Sequence, residues 1–160
     1  MKTLSITIIL LFISLNGISQ SFKLTDSSFQ VGDIYKINNL RLGYDGDRLD
    51  DESKAILDSI VIFLKNNPRV QVEFGTYSDL RGNADSNLKF SQLNAEYYVN
   101  YLITKGANEE QVIAKGYGEL EPEITEDEIN NYRLTDKREY ERLHLLNRRN
   151  ILRIIKIDAL

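Results

Sequence analysis

The sequence predicts an α/β protein of the α+β two-layer kind. Its sheet is mixed and four-stranded, in the order β-α-β-α-β-(loop or short α)-β, with the helices on one face. Three observations predict it. Asp50 to Asn66 and Asp85 to Lys105 carry apolar residues at helical spacing. Short alternating or apolar runs precede, separate and follow them, at 34–42, 70–75, 112–117 and 151–157. A helix between two strands implies a crossover, and crossovers imply parallel pairs within the sheet.

Each element has its own grounds. Lys2 followed by the mostly apolar run Leu4 to Leu15, with Gly17 and Ser19 before Gln20, reads as a cleaved export signal over residues 1–19. The run falls short of the roughly 20 residues that a membrane helix needs. Residues 20–33 are polar and form a lead-in, and 34–160 is the domain. Ile34 to Leu42 alternates loosely as a first strand, and Asp45-Gly46-Asp47 ends it with turn chemistry. Asp50 can cap the first helix, Asp51 and Glu52 suit the positive end of its dipole, and Ile56, Ile60, Phe63 and Leu64 share one face. Asn66-Asn67-Pro68 stops it, because proline disfavours helical geometry in the residue before it. Val70, Val72 and Phe74 alternate with polar residues in a strand ending at Gly75. Leu88, Ala95, Val99 and Leu102 mark the buried stripe of the second helix, and Gly106 supplies its left-handed stop. Val112 to Tyr117 is a third strand. Glu119 to Tyr140 is a charged loop, or one carrying a short surface helix, and Ile151 to Ile157 is a last strand that periodicity alone does not separate from a buried helical turn.

Composition excludes several functions. The 160 residues hold no cysteine and one histidine. Disulfides, thiolate metal sites, thiol catalysis and lipid attachment at a cysteine are therefore out. His144 has no second histidine to share a metal and reads as a surface or packing residue. The net charge is −4, and basic residues cluster only at Arg148, Arg149 and Arg153, which argues against a nucleic-acid partner. Asp45, Asp47, Asp50 and Asp51 lack the glycine and glutamate spacing of a calcium loop and read as a turn and a cap. Gly116-Tyr117-Gly118 lacks the lysine of a phosphate loop, and no nucleophile–base pair stands out. The acidic residues of 119–128 read as a solvated loop. No metal, no cofactor and no catalytic role are expected.

Five pieces carry a resemblance: Val70 to Gly75; Gly75-Thr76-Tyr77-Ser78-Asp79-Leu80-Arg81-Gly82; Asn87-Leu88-Lys89-Phe90-Ser91-Gln92-Leu93-Asn94-Ala95; Ala114-Lys115-Gly116-Tyr117-Gly118-Glu119-Leu120-Glu121-Pro122; and Asn147-Arg148-Arg149. In order and spacing they resemble the OmpA-like C-terminal domain family, shared with peptidoglycan-associated lipoproteins and flagellar stator anchors. The resemblance covers nearly all of Ile34 to Ile157. It implies a non-catalytic module of the periplasm that binds the peptidoglycan stem peptide through diaminopimelate, with an aspartate for the ammonium and an arginine for the carboxylate. Asp79 falls on the family aspartate, though it also suits a turn that bonds its own backbone. Tyr77, Ser78, Arg81, Gly82, Asn94 and Arg148 complete the expected binding set.

The chain departs from the pattern at two places. Asn94 stands where the family has its carboxylate-binding arginine, and Tyr77 where it has histidine. Losing a charged donor implies binding weakened by about tenfold to a hundredfold. Arg81, Arg148 and Arg149 are the candidates to compensate, or are simply solvated or salt-bridged. A second expectation follows: a domain that has lost wall binding and docks a protein in an envelope complex. With 34–160 consumed by the domain, association with the outer membrane is expected through a partner protein.

Overall fold

The computed structural model describes residues 20–42 and 49–159. The expected export signal and the Asp45-Gly46-Asp47 turn lie outside the described residues. Four strands, β1 (Ile34–Ile37), β2 (Val70–Tyr77), β3 (Val112–Gly118) and β4 (Asn150–Ile157), form one mixed sheet in the order β1-β4-β2-β3. β2 and β3 are parallel and joined by helix α2 (Ala84–Thr104), while β4 is antiparallel to β1 and β2. Helix α1 (Asp51–Asn66) leads from β1 to β2. Two shorter helices, α3 (Glu126–Asn130) and α4 (Lys137–Asn147), occupy the connection from β3 to β4. The four-stranded mixed sheet and the element order agree with the sequence.

Local chemistry explains the boundaries. Asp50 caps α1, its carboxylate accepting the Ser53 backbone N–H at 2.7 Å. That satisfies a donor which the first helical turn leaves without a partner. Leu57, Ile60, Val61, Phe63 and Leu64 of α1 and Tyr98, Val99 and Leu102 of α2 are buried with Val72, Phe74, Leu152 and Ile154 of the sheet. Each large apolar side chain removed from water in this way contributes about 1.5–3 kcal/mol. The far end of α1 is closed by buried Gln111, whose Nε2 donates to the carbonyls of Leu64, Asn67 and Val70 at 3.2, 2.9 and 3.1 Å.

Four expectations are corrected. β1 stops at Ile37 rather than Leu42, and Asn39 takes a φ of 59°, a left-handed conformation that breaks an extended run. β2 continues past Gly75 to Tyr77. Gly75 is a packing glycine rather than a terminator, because a Cβ there would lie 2.9 Å from Ile151 Cγ1. Leu88, expected in the buried stripe of α2, is 47% exposed, and Ser91 takes the inward place. The fourth is α4, which nothing in the apolar spacing predicts beyond Tyr140. Its buried residues are Leu143, His144 and Asn147, two of them polar, so hydrophobic periodicity has little to register.

Candidate functional site

The resemblance motifs turn out to be the pins that assemble one end of the sheet. Gly116 lets α2 lie directly on β3: a Cβ there would come within 2.1 Å of the Gln92 backbone nitrogen. Contact this close allows the side chains of α2 to satisfy the free edge of β3. Gln92 Oε1 accepts the Gly116 N–H at 2.7 Å, and Ser91 Oγ accepts the Gly118 N–H at 2.8 Å. Asn87 Nδ2 donates to the Asp79 and Arg81 carbonyls, at 3.3 and 3.1 Å, and to Glu119 at 2.7 Å. The fully buried Asn147 accepts the Ile124 N–H and donates to the Ile124 carbonyl, at 2.9 and 2.8 Å. The segment after β3 is therefore tied down: Glu123 also pairs with Lys36 and Arg149, and Glu128 closes a capping box with Thr125. This corrects the expectation of a simply solvated acidic loop.

Asp79 follows β2 and is 4% exposed. Its Oδ1 accepts the Arg81 backbone N–H at 2.9 Å, the expected turn bond two residues on. Its Oδ2 accepts Arg81 Nη2 at 2.9 Å, Arg81 Nε at 3.3 Å and Arg148 Nε at 2.7 Å. Burial works to raise the Asp79 carboxyl, but these bonds and the nearby guanidinium charges outweigh it and hold the group below its usual range. Arg81 reaches on to Glu141 at 2.8 Å. His144 lies near the same charges, 4% exposed, edge-on to Tyr140 at 4.6 Å, with neither ring nitrogen hydrogen-bonded. It is a packing residue, and the expected surface alternative is set aside. Burial first, then the Arg81 charge, lowers its pKa.

Beside this cluster an open groove of about 990 Å³ runs between the start of β4, the loop after β1, α2 and the end of α4. Tyr77, Ser78, Asn94 and Arg148 of the expected set line it; Asp79, Arg81 and Gly82 do not. Gly82, with a φ of 98°, turns the chain into the Asn83 cap of α2. The Tyr77 ring stacks on Tyr117 at 4.4 Å and lies under the Arg149 guanidinium at 3.6 Å. Lys36, Arg41, Arg142, Arg148 and Arg149 line the groove against the single carboxylate of Glu123. Phe90, Leu145 and Leu146 also line it, and are 62%, 56% and 40% exposed. Sequence reasoning overlooked these apolar residues. An exposed Phe90 between polar neighbours was the available signal. Among the described residues no group of histidine, cysteine, aspartate and glutamate could hold a metal, and no helix is long and apolar enough to cross a membrane.

The chain is thus a two-layer α/β domain with a basic groove at one end of its sheet, and the residues of the five motifs hold that end together. The profile of the OmpA family matches residues 43–141, and the chain belongs to that family. Outer membrane protein P5 of Haemophilus influenzae is 32% identical over 74 residues, which are 46% of this chain and 21% of that protein. The chain thus matches about a fifth of the length of that relative. The solved peptidoglycan-associated lipoprotein of Burkholderia pseudomallei superposes with a TM-score of 0.53 at 20% identity, over 72% of this chain and 86% of the other. The cell wall anchor of the T6SS from Pseudomonas aeruginosa gives 0.56 at 20% identity, over 77% and 79%. A MotB-like protein of Desulfovibrio vulgaris gives 0.58 at 14% identity, over 79% and 74%. At these identities the superpositions establish the fold.

Proposed function

We propose that this chain is a non-catalytic module of the cell envelope, exported to the periplasm. It associates with peptidoglycan by taking the diaminopimelate-containing stem peptide into the groove beside the Asp79 loop. The observation that carries the reading is the groove itself, where Tyr77, Ser78, Asn94 and Arg148 meet at the end of an OmpA-family sheet. Solved neighbours that include a peptidoglycan-associated lipoprotein and a cell wall anchor support it. Arg81 and Gly82 shape the loop, and no metal or cofactor takes part. The protein works against the wall or the inner face of the outer membrane, with an envelope protein as a further partner.

Co-sedimentation with purified sacculi tests this. Wild type is expected in the pellet, weakly, and Asn94→Arg is expected to tighten binding by about tenfold, the gain of one charge-assisted contact. Wild type and Asn94→Arg both left in the supernatant would refute wall binding. The second reading, a domain that docks a protein, is favoured by the exposed Phe90, Leu145 and Leu146 in the same groove. It predicts that wild type stays in solution while Asn94→Arg regains the wall.

A further inference from the structure

We infer that His144 is an acid-sensitive switch beside the groove. On protonation its ring frees the end of α4 from the loop after β2, and Arg148 loses its place in the groove wall. The release of the helix end is a property of the free protein, and its consequence for ligand uptake rests on the wall-binding reading.

The ring is buried, and neither nitrogen has a hydrogen-bond partner among the described residues. An apolar side chain would fill the space without that cost, so packing alone does not account for a histidine here. Helical spacing places Tyr140 and Glu141 one turn before it and Arg148, the cap of α4, one turn after it. Arg81 bridges Asp79 and Glu141, at 2.9 and 2.8 Å, and Arg148 Nε reaches Asp79 at 2.7 Å. These ion pairs fasten the end of α4 to the loop after β2, since Glu141 and Arg148 belong to the helix and Asp79 and Arg81 to the loop. The charges acting on the ring come from both sides: Arg81 and Asp79 from the loop, Glu141 and Arg148 from α4.

With the ring neutral, the guanidinium groups of Arg81 and Arg148 face the carboxylates of Asp79 and Glu141, and the cluster balances. An imidazolium adds a third cation and two N–H donors that meet no acceptor in the closed arrangement. To reach water the ring must swing out with the end of α4, and Arg148 moves with the helix it caps. Burial and the Arg81 charge oppose protonation in place and hold the ring below its ordinary pKa, so the released state binds the proton more tightly. The closed state is therefore favoured in full above about pH 6.5. Each pH unit below that favours release by up to about tenfold, until the depressed value is reached. Asp79 keeps its charge over that window, being held below the ordinary carboxylate range. His144 is the one histidine of the chain, the side-chain type whose ordinary titration falls in this window.

The test follows amide hydrogen exchange of the purified full chain by NMR at pH 8 and pH 5, corrected for intrinsic exchange, with sacculus co-sedimentation at the same two values. In wild type the protection of the Arg81 amide and of those from Leu143 to Asn147 is expected to fall about fivefold to tenfold at the lower pH. Amides from Leu57 to Leu64 in α1 should change less than about twofold. Sacculus affinity is expected to fall by about tenfold over the same interval. His144→Phe cannot titrate and should lose both changes, and His144→Gln makes the same comparison should phenylalanine overpack the site. Equal losses of protection in wild type and both variants, or none in wild type, would overturn the inference. Release of the helix end with unchanged sacculus affinity would overturn the groove's part in it and leave wall binding intact. Protein that pellets at neither pH removes the wall-binding reading, and the amide exchange then decides the switch by itself.

Discussion

Asp79 and His144 lie among the same charges and respond to acid for different reasons. The Asp79 carboxyl is held below its ordinary value by Arg81 and Arg148 against the pull of burial. Its contribution is therefore complete above the unfolded carboxyl pKa, about 3.9, and is lost as pH falls through the lower folded value. Asp79→Asn should cost stability at neutral pH, on the order of 1.5–3 kcal/mol, with the difference from wild type shrinking below about pH 4. Urea midpoints measured across that range check this. His144 is lowered by burial and by Arg81, so its neutral form favours folding above about pH 6.5 and protonation opposes folding as pH falls through the depressed value. With both ring nitrogens orphaned, His144→Phe should raise stability by about 1 kcal/mol and flatten the loss of stability below pH 6.5. Thermal melts of both proteins at pH 5 and pH 8 decide it. Asp79 was legible in the sequence through its motif. Its link to Arg148, 69 residues away, was not, because a long-range ion pair leaves no spacing to read.

At the scale of elements, α2 lying on β3 is the contact that the motif glycines serve. Gly116→Ala places a methyl against the backbone of Gln92, at a position where no flexible side chain can move aside. It is expected to abolish cooperative unfolding or to lower the midpoint by more than 10 °C, on the order of several kcal/mol for a domain of this size. Asn147→Leu would orphan the N–H and carbonyl of Ile124 and loosen the segment whose Glu121 carbonyl accepts from Arg149, the guanidinium over the Tyr77 ring. The expected cost is about 2–5 kcal/mol, read by denaturant melts and by faster amide exchange around Ile124. The helices with a strong apolar stripe and a capping residue, such as α1, were legible. α4 was not, since its inward face is built from His144 and Asn147, whose value lies in hydrogen bonding and packing at sites made by other elements. The early end of β1 is of the same kind: Leu40 is buried, as an apolar run predicts, but on a chain that has already left the sheet.

Across the whole molecule, the order of strands and helices and the mixed sheet were readable because periodicity, caps and crossovers all point the same way. The groove was not readable as a shape, since Lys36, Ser78, Asn94, Leu145 and Arg148 come from separate stretches that only the fold brings together. The measurement that bears most directly on the account is a nitrogen-15 NMR titration of the folded protein with soluble muropeptides. Saturable shifts are expected at Ser78, Asn94 and Arg148 and their neighbours, with the amides of Ile62 and Ile113, exposed residues outside the groove, unmoved. Shifts confined to surfaces away from the groove, or no shifts at concentrations where sacculi retain the protein, would contradict it.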